Sequence, residues 1–330
     1  MKAIRRVAAV MLVFAAGATG RAEVPGAGTA DDATFRTRTD VVALNVTVTN
    51  KQDKHVPGLQ ADQFVVTEDG VRQPVEFFAP GTVPLDLAIL IDASASMKGK
   101  MALARDAAAG LVRSLRAGDR ASLVEFRDAV RIRQPLTSDT HAVETALAQI
   151  DPRGSTSMYD ALYIALKELA RAEHAPQEVR RQTIVLLSDG DDTASLTSYE
   201  DVSELARRAG ILIYSASVRS AAEVAREKLA NDGRTFDGEG EYCLKALAQD
   251  TGGRAFFPKR PAELKGIYER IAEELASQYA LGYVPTNERR DGGWRRVAVQ
   301  VLAGDARPRT RTGYFALGDR SSVDAGTAQR

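Results

Sequence analysis

The chain has 330 residues, 44% of them apolar and 27% charged, which is the balance of an ordinary globular protein long enough for about two domains. Lys plus Arg and Asp plus Glu each number 44, so the formal charge is zero and overall electrostatics give no reason to expect nucleic acid. A single cysteine, Cys243, excludes an intrachain disulfide.

The amino terminus carries Lys2, Arg5 and Arg6, then the short apolar run Val7–Ala16, then small residues. This is the pattern of a secretory signal peptide, too short to span a bilayer comfortably, with cleavage expected after Ala22. The mature protein is therefore expected in the periplasm, the cell envelope or outside the cell, with no membrane span. Cleavage removes Lys2, Arg5, Arg6 and Arg21 and leaves a slight acidic excess. Residues 23–34 are small and polar and read as a flexible leader.

Residues 35–80 change character. Val42-Ala43-Leu44-Asn45-Val46-Thr47-Val48-Thr49 alternates as a half-buried strand does. Phe64-Val65-Val66-Thr67 and Val75-Glu76-Phe77-Phe78 flank Asp69-Gly70, a hairpin signal. This antiparallel unit is too short to be stable alone.

Residues 84–277 alternate strands (85–91, 121–126, 182–188, 211–217) with helical patterns near 99–116, 139–150, 158–172 and 199–209. The expected fold class is α/β: a doubly wound, mostly parallel sheet with helices on both faces. The charged, Gly-rich stretch 219–241 reads as a solvated insertion. Beyond it, Cys243 sits in Tyr242-Cys243-Leu244-Lys245-Ala246-Leu247, where a buried small hydrophobe is the expectation. Ala255-Phe256-Phe257 reads as a last strand, followed by a helix over 261–278. Strand character returns at Tyr279–Val284, Arg296–Val301 and Thr310–Phe315, so residues 279–316 form a second β half-unit. Two halves that are each too small are expected to pair into one discontinuous β sandwich around the α/β domain. Residues 319–330 read as a disordered tail. The Arg180-Arg181 and Arg295-Arg296 pairs read as solvated strand edges, and Trp294 as packing in the β unit.

The chemistry concentrates where Leu87-Ala88-Ile89-Leu90-Ile91 empties into Asp92-Ala93-Ser94-Ala95-Ser96. One carboxylate and two hydroxyls then lie at the carboxyl end of a buried strand, where open α/β sheets bind ligands. The competing reading of the pentapeptide is a Ser/Asp-rich turn that caps the next helix. Two further loops bear on the choice: Gly154-Ser155-Thr156-Ser157 running into a helix, and Leu187-Ser188-Asp189-Gly190 ending a strand. Hard oxygen donors without imidazole or thiolate suit Mg²⁺ or Mn²⁺.

This set resembles the metal-ion-dependent adhesion site of von Willebrand factor type A domains, a Rossmann-like fold. The family pattern is Asp-x-Ser-x-Ser, a Thr in a Gly-rich loop, and the Asp of a Thr-Asp-Gly turn. Here Ser188 replaces the usual Thr and Ser155 a usual Gly, neither of them a ligand in the family. The resemblance implies that Ser94, Ser96 and Thr156 offer hydroxyl oxygens to the ion, while Asp92 and Asp189 supply charge, often through water. A Glu or Asp of a protein partner would complete the shell. The full layout is similar to exported bacterial proteins with a von Willebrand factor A-related domain of acidobacterial type. It is carried by Val46-Thr47-Val48, Phe64–Gly70, Thr251-Gly252-Gly253-Arg254-Ala255-Phe256-Phe257-Pro258, Tyr283-Val284-Pro285 and Arg311-Thr312-Gly313-Tyr314-Phe315.

Three functions compete: a metal-dependent binding module, a metal-dependent hydrolase or phosphoryl-transfer enzyme, and a structural domain with an idle site. Catalysis lacks its usual signatures. His55, His141 and His174 lie outside the site loops, no Gly-x-Ser-x-Gly elbow exists, and Gly99-Lys100 lacks the spacing of a P-loop. The binding module is therefore the expectation, with its partner-facing rim at Met97, Lys98, Ser157, Met158 and Asp191. The acids Asp191 and Asp192 read as exposed loop residues, and Asp160 as a helix-start residue.

Overall fold

The computed structural model describes residues 41–81, 83–173, 179–189, 192–218, 239–316 and 318. The expected signal peptide, leader and tail, and most of the 219–241 insertion, lie outside these residues.

The sheet of the α/β domain grows from β5 (Leu85–Asp92), whose side chains are all buried. Period-two alternation splits them between two cores. Leu87, Ile89 and Ile91 face the layer built by α1 (Met101–Arg113), α2 (Thr140–Ala148) and α6 (Leu264–Ser277). Ala88 and Leu90 face α3 (Met158–Arg171), α4 (Tyr199–Ala209) and α5 (Glu239–Thr251). Parallel neighbours β6 (Arg120–Phe126) and β8 (Arg181–Ser188) flank β5, and β9 (Leu212–Ser217) and β10 (Ala255–Phe256) extend the sheet beyond β8. This sheet has six strands among the described residues.

The sixth, β7 (Val130–Thr137), is antiparallel to β6 and was not anticipated. It is a half-exposed edge strand with arginines between its apolar residues and Pro135 within it, so it shows no buried run. Helix α5 begins at Glu239, inside the stretch expected to be loop.

The flanking segments interleave. One four-stranded sheet places β1 (Val42–Thr49) between β13 (Arg307–Arg309) and β11 (Tyr279–Tyr283), with β4 (Phe77–Pro80) outside β11. The other runs β14 (Gly313–Phe315), β12 (Trp294–Val301), β2 (Phe64–Glu68), β3 (Val71–Gln73). Val42, Leu44, Val46 and Val48 meet Phe64, Val66, Leu281 and Val297 in a common core. The Asp69-Gly70 hairpin joins β2 to β3, not to the segment 75–78 that the sequence put there; Phe77 and Phe78 pair instead with β11.

Two arginine readings are corrected. Arg181 is buried, donating to the Val83 and Leu275 carbonyls, and Arg180 and Arg120 grip the fully buried Asp86 at 2.7–2.9 Å. Arg295 is buried against Glu68, which also accepts from Tyr283 and Tyr314. Burial next to this carboxylate pushes the Tyr314 phenol up to about 12. Trp294 packs edge-on against Phe315 and stays 39% exposed.

The β unit is fused to the α/β domain. Helix α6 passes through Gln278 directly into β11, and Gln278 donates to Thr47 and Tyr214. Buried Glu274 of α6 is paired with Arg309 and Arg254. After α5, a side chain at Gly252 would meet the Arg311 backbone at 2.5 Å and one at Gly253 the Ile213 carbonyl at 1.9 Å, so the Gly-Gly pair allows this approach.

Candidate metal centre

Strand register assembles the first half of the site. Ile91 pairs with Leu187, so Asp92 and Ser188 end adjacent parallel strands side by side. The Asp92 carboxylate accepts from the Ser188 hydroxyl at 2.6 Å and from the Ser94 amide at 2.8 Å. The hydroxyl that the family usually supplies from Thr thus comes from Ser188. Ser94 Oγ and Ser96 Oγ are 3.0 Å apart, and Ser96 Oγ donates to Asp189 Oδ1 at 2.7 Å. Asp92, Ser94, Ser96 and Asp189 therefore form one connected group. Asp92, Ser94 and Asp189 are buried, while Ser96 is exposed at the mouth.

Thr156 makes no direct bond to these four, but its loop is stitched to theirs. Arg153 donates its amide to the Ala93 carbonyl at 2.7 Å, and Ala95 donates to the Gly154 carbonyl at 3.0 Å. Gly154 has φ +80° and a Cβ there would lie 2.1 Å from Asp128 Oδ2, so this turn requires glycine. The next residue, Ser155, uses both amide and hydroxyl to hold Asp128, at 2.8 and 2.6 Å, and keeps that exposed carboxyl below its ordinary range. The departure from the family's usual Gly thus serves a local anchor.

The loop after Asp189 locks onto the same element. Thr193 and Ala194 donate their amides to the Thr156 carbonyl at 2.9 and 3.0 Å, and Thr156 donates its amide to the Thr193 hydroxyl at 3.1 Å. Asp192 caps α3 by accepting from the Met158 and Tyr159 amides, a task the N-cap residue Ser157 leaves undone. Asp160 accepts from the Leu196 and Thr197 amides at 3.2 and 2.9 Å. Asp192 is thus half-buried and structural, not a free loop acid, whereas Asp191 lies outside the described residues.

The expected rim is also revised. Met97 and Met158 are 0% exposed and Ser157 is 1% exposed, so all three are core. Among the described residues, the exposed ones on the three loops include Ala95, Ser96, Lys98, Gly99, Gly154 and Thr193, together with Leu196. Met97 packs into the core beneath α1 and Met158 into the core beneath α3.

Sequence reading missed Lys100. Its Nζ lies 2.6 Å from Asp189 Oδ2, with side-chain exposures of 8% and 0%. The ammonium thus pairs with Asp189, while Asp92 is held by hydroxyl and amide donors. Burial pushes the Asp92 carboxyl above its ordinary range; its bonds to Ser188 and Ser94 oppose this, and the Asp189 charge adds to it. Such a site gains from added positive charge. The donors are carboxylate and hydroxyl oxygens, and no group of three or more His, Cys, Asp or Glu placed to hold a metal ion occurs among the described residues. This chemistry fits a hard divalent cation that keeps part of its charge for a further oxygen ligand.

A fold of this topology, with a three-loop oxygen cluster at the carboxyl edge of its sheet, defines a class, and comparison with known proteins agrees. The family model of the von Willebrand factor type A domain matches residues 86–269, and the chain belongs to that family. It is 29% identical over 228 residues to inter-alpha-trypsin inhibitor heavy chain H4 of Bos taurus, covering 64% of this chain and 23% of that one. It is 25% identical over 237 residues to a UPF0353 protein of Mycobacterium leprae, covering 65% and 66%. The match thus spans less than two thirds of the length of either relative. Among solved structures it is similar to a von Willebrand factor type A protein from Catenulispora acidiphila (TM-score 0.45, 14% identity, 87% of this chain and 76% of that one). It is also similar to proximal thread matrix protein 1 of the mussel byssus, described with a zinc-occupied MIDAS motif (TM-score 0.46, 20% identity, 63% and 49%).

Proposed function

We propose that this is an exported binding module. Asp92, Ser94, Ser96, Thr156 and Asp189 hold Mg²⁺ or Mn²⁺, and the ion captures a Glu or Asp side chain of a protein partner without turnover. The observation that carries this reading is the single hydrogen-bonded group of Asp92, Ser94, Ser96 and Asp189, with the Thr156 loop bonded to it. Few carboxylates around a divalent ion leave residual positive charge, which an anionic partner neutralises. Export is supported by the basic, apolar and small-residue order of the amino terminus. Among the described residues no helix is long and apolar enough to cross a membrane.

The test is calorimetric titration of the mature protein with Mn²⁺ and Mg²⁺, beside Asp189→Ala, and capture of envelope proteins with and without EDTA. Binding of one ion, lost in Asp189→Ala, and capture lost in EDTA are expected. Unchanged Mn²⁺ affinity in the variant removes the site assignment. Capture that survives EDTA removes the proposed mode, and metal-dependent hydrolysis abolished by Asp92→Ala puts an enzyme in its place.

A further inference from the structure

The buried ammonium at the metal centre has no role in the reading above. Lys100 joins the 3₁₀ turn Ala95–Gly99 to α1. Its backbone is fixed on both sides: its amide donates to the Met97 carbonyl at 2.9 Å and its carbonyl accepts from Ala104 at 3.0 Å. Met97 and Met101 are both buried in the core, so this stretch is anchored at two points around the lysine. Lysines are almost never buried unless paired, and this one is 7% exposed with its ammonium on Asp189. Asp189 is thereby fully engaged, one oxygen with Ser96 and the other with Lys100.

A divalent ion held by the same cluster would sit within a few ångströms of that ammonium. Like charges at such range in a largely buried site repel strongly. Both cations also draw on the same carboxylate. We propose that Lys100 is a resident competitor of the metal ion. Its ammonium neutralises Asp189 when no ion is bound, and ion binding has to displace it, so Lys100 lowers metal affinity and preserves the ion-free fold. The inference rests on the metal-site reading and deepens it. Because Lys100 directly follows the 3₁₀ turn, the side-chain displacement takes place next to the turn that presents Ser96 and Lys98.

The experiment compares the mature protein with Lys100→Met, which keeps most of the volume, and with Lys100→Gln, which keeps a polar donor. Mn²⁺ affinity is read by calorimetry and melting temperature is read in EDTA and in saturating Mn²⁺, with Asp189→Ala as the non-binding control. We expect both Lys100 variants to bind Mn²⁺ about tenfold tighter or more. They should melt lower than wild type in EDTA and recover more on adding Mn²⁺. A lysine with a merely structural role would lower stability equally in both conditions. If wild type binds no ion but the Lys100 variants do, the competition is stronger still and the proposal stands. If wild type binds and the variants match it within twofold, the proposal is overturned while the metal site survives. If folded wild type and both folded variants bind no ion, the metal site itself is overturned, and the competitor with it.

Discussion

Deleting everything after residue 278 removes β11, β12, β13 and β14 while leaving the α/β domain and the first β half-unit in place. Strand β1 then loses both its neighbouring strands and β4 loses its one, leaving, among the described residues, the β2–β3 hairpin and the Thr49–His55 bridge. Val42, Leu44, Val46 and Val48, all 6% exposed or less, lose the cover supplied by Tyr279, Leu281, Tyr283 and Val297. At roughly 1.5–3 kcal/mol per buried aliphatic side chain, the loss is about 6–12 kcal/mol as an upper bound. That is comparable with the ~5–15 kcal/mol stability of a whole domain, so the stranded half-unit cannot stay ordered. The assay is thermal melting and amide hydrogen exchange of the fragments 39–278, 39–316 and 83–278. Fragment 39–278 should melt lowest and aggregate, with β1 amides unprotected. Fragment 83–278 should be more soluble than 39–278 despite being shorter, because it carries no uncovered apolar strand. If 39–278 is as soluble and as stable as 39–316, the two flanks do not depend on each other and the reasoning fails.

Three further outcomes are expected. Leu196 is 98% exposed on the loop that follows Asp189, with its amide held by Asp160; Leu196→Ser should weaken partner capture about tenfold with Mn²⁺ affinity unchanged, and equal loss of both would show that the change disturbs the site instead. Thr156→Ala should weaken the partner more than the ion, measured by capture at saturating Mn²⁺ beside calorimetry. Burial raises the Asp160 carboxyl, but bonds from Thr197 and Leu196 outweigh it and the folded value lies below the ordinary 3.8. Its stabilising contribution is therefore complete above that ordinary value and disappears as pH falls through the lower folded one. Protection factors at Leu196 and Thr197, the intrinsic rate at each pH divided by the observed exchange rate, should fall over that acid interval, and Asp160→Asn should leave them flat; protection that still falls there in Asp160→Asn assigns the effect to another group.

Much of this molecule is written locally. The run Leu87–Ile91 announces a strand buried on both faces, and Asp92, Ser94 and Ser96 follow at the end where such a strand meets a loop. Alternation at Val42–Val48 shows which side is apolar, Thr156 follows a Gly-Ser pair where a loop runs into a helix, and Asp189 ends an apolar run before a glycine. These features need only residue type and period, because each side chain's direction follows from its own backbone. Partner choice does not. Whether Glu68 meets Arg295, 227 residues away, or whether Phe77 pairs with β2 or β11, depends on which surfaces are left to cover once other strands are in place. The same holds for charge. Arg180 and Arg181 look like a solvated pair until Asp86 and the Leu275 carbonyl receive them, and Lys100 looks like a helix-start lysine until register brings Asp189 beside it. A charged group is buried only when a partner arrives, and that partner comes from a distant strand, so tertiary packing alone decided what surrounds the site.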